Sequence, residues 1–214
     1  MPAPLIKICG LTEAATLEAA IAARADYAGF NFCPPSPRYL NLSSARDLGA
    51  RAAGRIARVG LFVDADFGAI GQAVAACSLD ALQLHGSETP DAVAALKQQH
   101  GLPVWKVIPV AGADDLAKAA RYAPVADLIL LDAKTPKGAL AGGLGLRFDW
   151  SLLAGWKAPG LWGLAGGLNP ANVAEAVRIT GAPLVDSASG VESAPGVKDV
   201  DLIAAFCQVA RNAG

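Results

Sequence analysis

The sequence predicts a single-domain α/β chain folded as a (β/α)8 TIM barrel, on three observations. Short apolar runs alternate with alanine-rich stretches of helical character. There are eight such runs, and their starts lie roughly 22 to 33 residues apart, about the length of one βα unit. The 214 residues suffice for one domain with a sizeable core and are short for two, so residues 1–214 are read as one barrel domain. An open doubly wound sheet shares this alternation, because a sequence does not display closure. Eight strands each followed by a helix favour the closed form.

In chain order the strand candidates are Leu5–Cys9, Tyr27–Phe32, Ile56–Val63, Ala81–His85, Val104–Val110, Leu128–Asp132, Leu161–Ala165 and Pro183–Ser187. Each is short, apolar and flanked by turn-forming residues. The helix candidates between them are Glu13–Ala25, Ser43–Ala53, Asp66–Ala76, Asp91–Gln99, Ala113–Tyr122, Ala171–Ile179 and Val200–Arg211. Thr89-Pro90 and Asn169-Pro170 each set a capping residue before a proline at the first helical position. Asp64 and Asp66 are read as caps of the third helix, and His100 as the C-terminal end of the fourth. The sixth helix is the weakest, with Lys134–Gly145 reading as loop and Phe148–Leu153 supplying only a short helical stretch.

Composition narrows the function classes. Hydrophobic residues make up 53% and charged residues 17%, which suits a compact globule. Mean hydropathy is +0.37, yet the longest uncharged stretch, Ala158 to Ala174, contains two prolines and two asparagines. It is shorter than the roughly 20 apolar residues of a spanning helix, so no membrane partner is expected. Eighteen basic and nineteen acidic residues give a net charge of −1 with no basic stripe, and nucleic acid is not an expected partner. The start, MPAPLIKICG, lacks the pattern of a signal peptide. Cys9, Cys33, Cys77 and Cys207 are widely spaced without a CxxC pair, which suggests reduced thiols in the cytoplasm.

Strand periodicity locates the polar groups. Successive side chains face opposite sides. Lys7 and Cys9 therefore share a face opposite Ile6 and Ile8, Asn31 opposes Phe30 and Phe32, and Gln83 and His85 oppose Leu82 and Leu84. Asp132 aligns with Leu130 and Leu128, and Asp186 with Leu184. The aliphatic face meets the helices, so the polar face of strands one, two and four points into the barrel, mostly at strand C-terminal ends. Barrel enzymes place their active sites there. The other reading is a hydrogen-bonded polar layer that only fills the barrel.

Among these groups Cys9 stands at the mouth of strand one, where a thiolate would be a usable base near neutral pH. Lys7, two residues earlier on the same face, either favours that thiolate or pairs with an interior carboxylate. A buried cysteine is also commonly just a small apolar residue, which is the reading for Cys77 and Cys207. Asp132 ends strand six as an acid raised by an apolar rim, or as a cap or loop brace. His85 is a pocket wall or a core histidine. Gly166-Gly167 and Ser189-Gly190 follow strands seven and eight, where barrels often hold phosphate with backbone N–H groups; ordinary tight turns are the alternative. Arg38, in the stiff loop Pro34-Pro35-Ser36-Pro37-Arg38, suits a carboxylate or phosphate, or is a surface arginine in a solvated loop.

With these motifs in view, the chain resembles the phosphoribosylanthranilate isomerases of tryptophan biosynthesis. The segments that carry the likeness are Lys7-Ile8-Cys9-Gly10-Leu11-Thr12, Ser36-Pro37-Arg38, Gln83-Leu84-His85-Gly86, Leu131-Asp132, Phe148-Asp149-Trp150, Ala165-Gly166-Gly167-Leu168-Asn169-Pro170 and Ser189-Gly190-Val191-Glu192. They run through almost the whole chain in order; the first and last are the most specific. The resemblance implies an Amadori rearrangement of a small-molecule phosphosugar, N-(5-phosphoribosyl)anthranilate, with no cofactor and no metal. It implies Asp132 as general acid, Cys9 as general base and Arg38 at the anthranilate carboxylate. It also implies Asp186 and His85 at the substrate, with Gly166, Gly167, Ser189 and Gly190 at the phosphate. A monomer or weak homodimer is expected.

Two segments depart from the family pattern. Asp186-Ser187-Ala188-Ser189-Gly190 stands where Asp-Val-Ser-Ser-Gly is more usual, so Ala188 offers a methyl in place of a hydroxyl. Gly142-Gly143-Leu144-Gly145-Leu146-Arg147 is less polar than the usual run before Phe-Asp-Trp. Three rivals remain at this level. A metal-dependent pentulose-phosphate epimerase needs more histidines than the two present. A barrel that only binds phosphosugars needs neither Cys9 nor Asp132. A dual-substrate isomerase of the histidine pathway normally has aspartate where Cys9 stands.

Overall fold

Strands buried on both faces are near-continuous apolar runs, and their backbone groups must all be paired. The eight runs meet that demand by closing on themselves. The computed structural model describes residues 2–135 and 145–214. The strands are β1 (Leu5–Cys9), β2 (Tyr27–Asn31), β3 (Ala57–Phe62), β4 (Ala81–Leu84), β5 (Val104–Val110), β6 (Leu128–Ala133), β7 (Trp162–Leu164) and β8 (Leu184–Ser187). They pair in sequence order as a closed parallel barrel. At the seam, Leu5, Ile6, Lys7 and Ile8 of β1 lie opposite Leu184, Val185, Asp186 and Ser187 of β8.

Helices α1 (Ala14–Ala22), α2 (Leu42–Ala52), α3 (Phe67–Cys77), α4 (Pro90–His100), α7 (Val173–Thr180) and α8 (Val200–Arg211) cover the outside. Their ends follow local chemistry. Asn41, Asp66, Thr89 and Asp199 accept from backbone N–H groups of the first turns. Gly101 and Gly181 close α4 and α7 in the left-handed conformation.

Three sequence expectations need correction. Ala113–Tyr122 is two short helices, α5 (Ala113–Leu116) and α6 (Ala119–Tyr122). Lys118 N–H bonds Asp115 O and Arg121 N–H bonds Lys118 O, a tighter winding that interrupts the α-helix. Asn169-Pro170 does not start α7. Asn169 Oδ1 accepts from Ala171 N–H and Asn172 Oδ1 from Asn169 N–H, making a separate turn before Val173. Asp64 is not a helix cap. It takes a left-handed φ of 48° and accepts from Ser87 N–H at 2.7 Å and Ser87 Oγ at 2.8 Å, joining the loops after β3 and β4. Among its described residues the sixth crossover carries one 3-10 turn, Trp150–Leu153, capped by Asp149. Residues 142–144 of the glycine-rich segment, and 136–144 of the expected loop, lie outside the described residues.

Two apolar layers result. Ile6, Ile8, Phe30, Leu82, Leu84 and Val185 join the helices in the outer layer. Inside the barrel Val59, Ala81, Trp105, Val107, Leu128, Leu130, Ala165 and Leu184 form a second cluster, with Tyr27 edge-on to Trp105 at 4.9 Å. This floor fills the N-terminal half and leaves the polar residues above it. Gly163 on β7 provides the room: a Cβ there would meet Leu184 Cδ2 at 2.6 Å and Leu130 Cδ1 at 3.0 Å. Gly163→Ala is expected to cost about 1–3 kcal/mol through overpacking, read as a lowered thermal midpoint. An unchanged midpoint would show that this layer has slack.

Candidate active site

The C-terminal ends of the strands surround one cavity of about 600 Å³, and all nine site candidates from the sequence line it: Cys9, Arg38, His85, Asp132, Gly166, Gly167, Asp186, Ser189 and Gly190. Strand alternation explains the convergence, because residues at the last inward positions of a closed barrel point at a common axis.

On the β1–β8 wall, Lys7 is fully buried and its Nζ bonds Asp186 Oδ2 at 2.9 Å. The carboxylate reading of Lys7 therefore holds, whereas its pull on Cys9 is outweighed by burial and does not bring the thiol down toward neutral pH. Burial works to lower the Lys7 pKa, but Asp186 and Cys9 outweigh it and the ammonium form is favoured. For Cys9 burial dominates and raises the thiol pKa, against the pull of Lys7. Asp186 raises it further and Lys198 lowers it. Gly29 on β2 allows this crowding, since a Cβ there would lie 2.9 Å from Cys9 Sγ and 3.1 Å from Lys7 Nζ.

On β6, Asp132 is buried, and burial is the main reason its pKa rises, to about 7. The negative charge of Asp186 adds to the rise, while a hydrogen bond from Ala133 N–H and the charge of Lys7 oppose it. His85 Nε2 approaches Asp132 Oδ2 at 3.4 Å. Burial, then Lys106 and Lys7, lower the His85 pKa to about 3, so this contact joins a neutral imidazole to the carboxyl and is no ion pair. His85 is thus a pocket wall. Gln83 Oε1, His85 Nδ1 and Asp186 Oδ1 are buried with no hydrogen-bond partner among the described residues. Three orphaned polar atoms around one cavity suit a polyhydroxy ligand.

The phosphate candidates follow β7 and β8, on the rim between Asp132 and β1. Gly166 and Gly167 have φ of 86° and 64°. A Cβ on Gly166 would meet Asp132 Oδ1 at 2.8 Å, and one on Gly190 would meet Leu168 O at 1.8 Å, so the backbone itself lines the rim. Ser187, where valine is more usual in the resembling family, donates its hydroxyl to Leu168 O at 2.7 Å and ties the two turns together.

Arg38 is buried rather than solvated. Ser36 Oγ accepts from Arg38 N–H and from Asn31 Nδ2, which shapes the loop. A Cβ on Gly10 would meet Arg38 Cδ at 2.6 Å, so the arginine stem lies across the turn after Cys9. Glu192 holds Arg38 Nε and Nη2, each at 2.7 Å. Sequence reading quoted Glu192 only within a motif and missed Lys198, whose Nζ reaches Glu192 Oε1 at 2.6 Å. An isolated lysine between Val197 and Asp199 carries no local signal of burial. Among the described residues, no cluster of three or more His, Cys, Asp or Glu side chains is arranged to hold a metal ion.

A carboxyl with a raised pKa, a buried thiol and two glycine-bearing backbone turns at a barrel mouth are parts that an acid–base enzyme of the (β/α)8 class would use. The family profile described as N-(5'phosphoribosyl)anthranilate (PRA) isomerase matches residues 6–209. An N-(5'-phosphoribosyl)anthranilate isomerase of Paramagnetospirillum magneticum is 53% identical over 209 residues, covering 96% of each chain. The crystal structure of phosphoribosyl anthranilate isomerase from Thermotoga maritima superposes with a TM-score of 0.88 at 34% identity, over 98% of this chain and 99% of that one. A further isomerase structure, in complex with reduced 1-(o-carboxyphenylamino)-1-deoxyribulose 5-phosphate, gives 0.86 at 32% identity over the same shares. The chain belongs to the N-(5'-phosphoribosyl)anthranilate isomerase family.

The raised Asp132 pKa has a stability consequence with a definite sign. An unfolded aspartate titrates at roughly 4, so between there and about 7 the folded state holds a proton that the unfolded chain releases. Stability contributed by this proton is therefore lost as pH rises through that window. Asp132→Asn keeps the acceptor for Ala133 N–H and is expected to be more stable than the wild type at pH 8, by ~1–3 kcal/mol. The gain should grow between pH 5 and pH 8 in urea unfolding. A pH-independent difference would show that Asp132 is ionised throughout.

Proposed function

We propose that the chain catalyses the Amadori rearrangement of N-(5-phosphoribosyl)anthranilate to 1-(2-carboxyphenylamino)-1-deoxyribulose 5-phosphate, an isomerisation of tryptophan biosynthesis. The observation that carries the residue assignment is the convergence of a carboxyl with a pKa of about 7 and a buried thiol on one cavity. Asp132 gives its proton to the ribose ring oxygen as the C1′–O bond breaks, and the anthranilate nitrogen lone pair forms the iminium. Cys9 thiolate takes the C2′ proton, and the electrons of that C–H bond neutralise the iminium as an enolamine. Tautomerisation of the enolamine gives the aminoketose. Arg38 faces the anthranilate carboxylate, His85 and Asp186 meet the sugar, and the Gly166-Gly167 and Ser189-Gly190 turns hold the phosphate. Four free cysteines fit a reducing compartment such as the cytoplasm.

The order of the two pKa values shapes the pH profile. Cys9 lies above the ordinary thiol range and Asp132 near 7, so the competent pair, thiolate with protonated acid, is a minor form of the singly protonated site. As pH rises, kcat/KM is expected to climb through about 7, as Asp132 titrates, and to fall only above the Cys9 range. Asp186→Asn removes a negative charge that raises the Asp132 pKa and should move the acid limb to lower pH. An unmoved limb would detach it from Asp132.

The direct test follows the loss of substrate fluorescence with purified protein, with and without EDTA. Turnover insensitive to EDTA is expected, and absence of turnover by the wild type overturns the reading. Cys9→Ala and Asp132→Asn should each lower the rate about 10²-fold or more. A near-normal rate in either variant removes that residue from its role.

A further inference from the structure

Arg38, Glu192 and Lys198 form a linked ion-pair group, built from three side chains that are 9%, 3% and 1% exposed, with Arg38 and Glu192 lining the cavity. Glu192 Oε1 accepts from Arg38 Nε at 2.7 Å and from Lys198 Nζ at 2.6 Å. Its Oε2 accepts from Arg38 Nη2 at 2.7 Å and from Gly196 N–H at 3.1 Å. Lys198 Nζ also donates to the Ala188 carbonyl at 2.8 Å. The β-ribbon of Glu192–Ala194 and Val197–Lys198 brings Glu192 and Lys198 side by side.

With Lys198 charged, two cations and one carboxylate give this group a formal charge of +1, burial working to lower the Lys198 pKa and Glu192 to hold it up, whereas Lys7 and Asp186 on the neighbouring wall cancel. A net buried charge is costly. An anion on the ligand restores the balance. Were Lys198 neutral, Glu192 would hold Arg38 in the same place but cancel its charge.

We propose that Lys198 is a positioning and specificity residue: by compensating Glu192, it lets that carboxylate clamp Arg38 while the trio keeps the net charge that selects the aromatic carboxylate of the substrate. The proposal rests on the isomerase reading above. Its structural rival is that Lys198 only braces the turn before Ser189 through the Ala188 carbonyl. That role would weaken every phosphate-bearing ligand alike.

The experiment compares two probes by calorimetric titration: reduced 1-(2-carboxyphenylamino)-1-deoxyribulose 5-phosphate and its counterpart lacking the ring carboxylate. Both carry the phosphate, so only the carboxylate differs. Wild type is expected to prefer the carboxylated probe by at least about 30-fold. Lys198→Met should shrink that preference about tenfold, and Lys198→Arg should restore most of it. In turnover, Lys198→Met should raise KM by a larger factor than it lowers kcat. Equal weakening of both probes, with the preference intact, overturns the proposal in favour of the bracing role. Absence of preference in the wild type overturns it with no variant needing to fold, and Lys198→Gln carries the comparison should the Met variant not fold. Failure of the isomerase reading is distinct: the wild type then shows no turnover and binds neither probe.

Discussion

Lys7 carries a full positive charge into the barrel, where its side chain has no exposure, and Asp186 receives it across the β1–β8 seam. An unpartnered ammonium in that position would oppose folding strongly. Pairing therefore makes closure compatible with a charged interior. The same pair sets the electrostatics of the cavity above. Lys7 draws the Cys9 thiol toward its anion, and Asp186 holds the Asp132 carboxyl toward its neutral form. A single ion pair thus acts in opposite senses on the two groups proposed to move protons.

Burial remains the largest influence on both of those groups. It raises the pKa of the thiol and the carboxyl together, and it holds His85 neutral beside Asp132. Such an arrangement sacrifices stability, since apolar residues of similar volume would fill the mouth without desolvated acids or orphaned atoms. The apolar floor around Trp105 and Leu130 offsets part of that strain by giving the N-terminal half a conventional core. Stability and chemistry consequently occupy opposite halves of one barrel, as the fold permits.

Polar ties between neighbouring loops hold the mouth in shape. Asp64 joins the β3 and β4 loops, and Glu88 accepts from Gly86 N–H and from the buried Lys106 Nζ at 2.8 Å beneath His85. Ser187 joins the β7 and β8 turns, and Glu192 joins the β2 loop to the β-ribbon. Apart from the Gly86–Glu88 bond, each tie uses a residue distant in sequence from its partner. Among the described residues, no helix is long and apolar enough to cross a membrane, and the apolar content is spent on the two layers of the barrel.

Much of this was legible in the sequence alone. Eight apolar runs set the strand count, alternation placed Cys9, Gln83 and His85 on inward faces, strand ends put Asp132 and Asp186 at the rim, and capping residues marked most helix starts. Those features are local, carried by spacing of a few residues, and the family motifs rest on the same short segments. Tertiary structure alone decided closure, the Lys7–Asp186 pair, the Glu192 clamp on Arg38 and the burial of Lys198. It also turned Asp64 from a cap into a loop tie and split the fifth helix. Those outcomes depend on groups brought together across the barrel, and on burial, which sets a pKa through the whole surrounding volume. The Cys9 and Asp132 positions of the barrel mouth could be read from strand periodicity, but their protonation states were fixed only when the mouth closed around them.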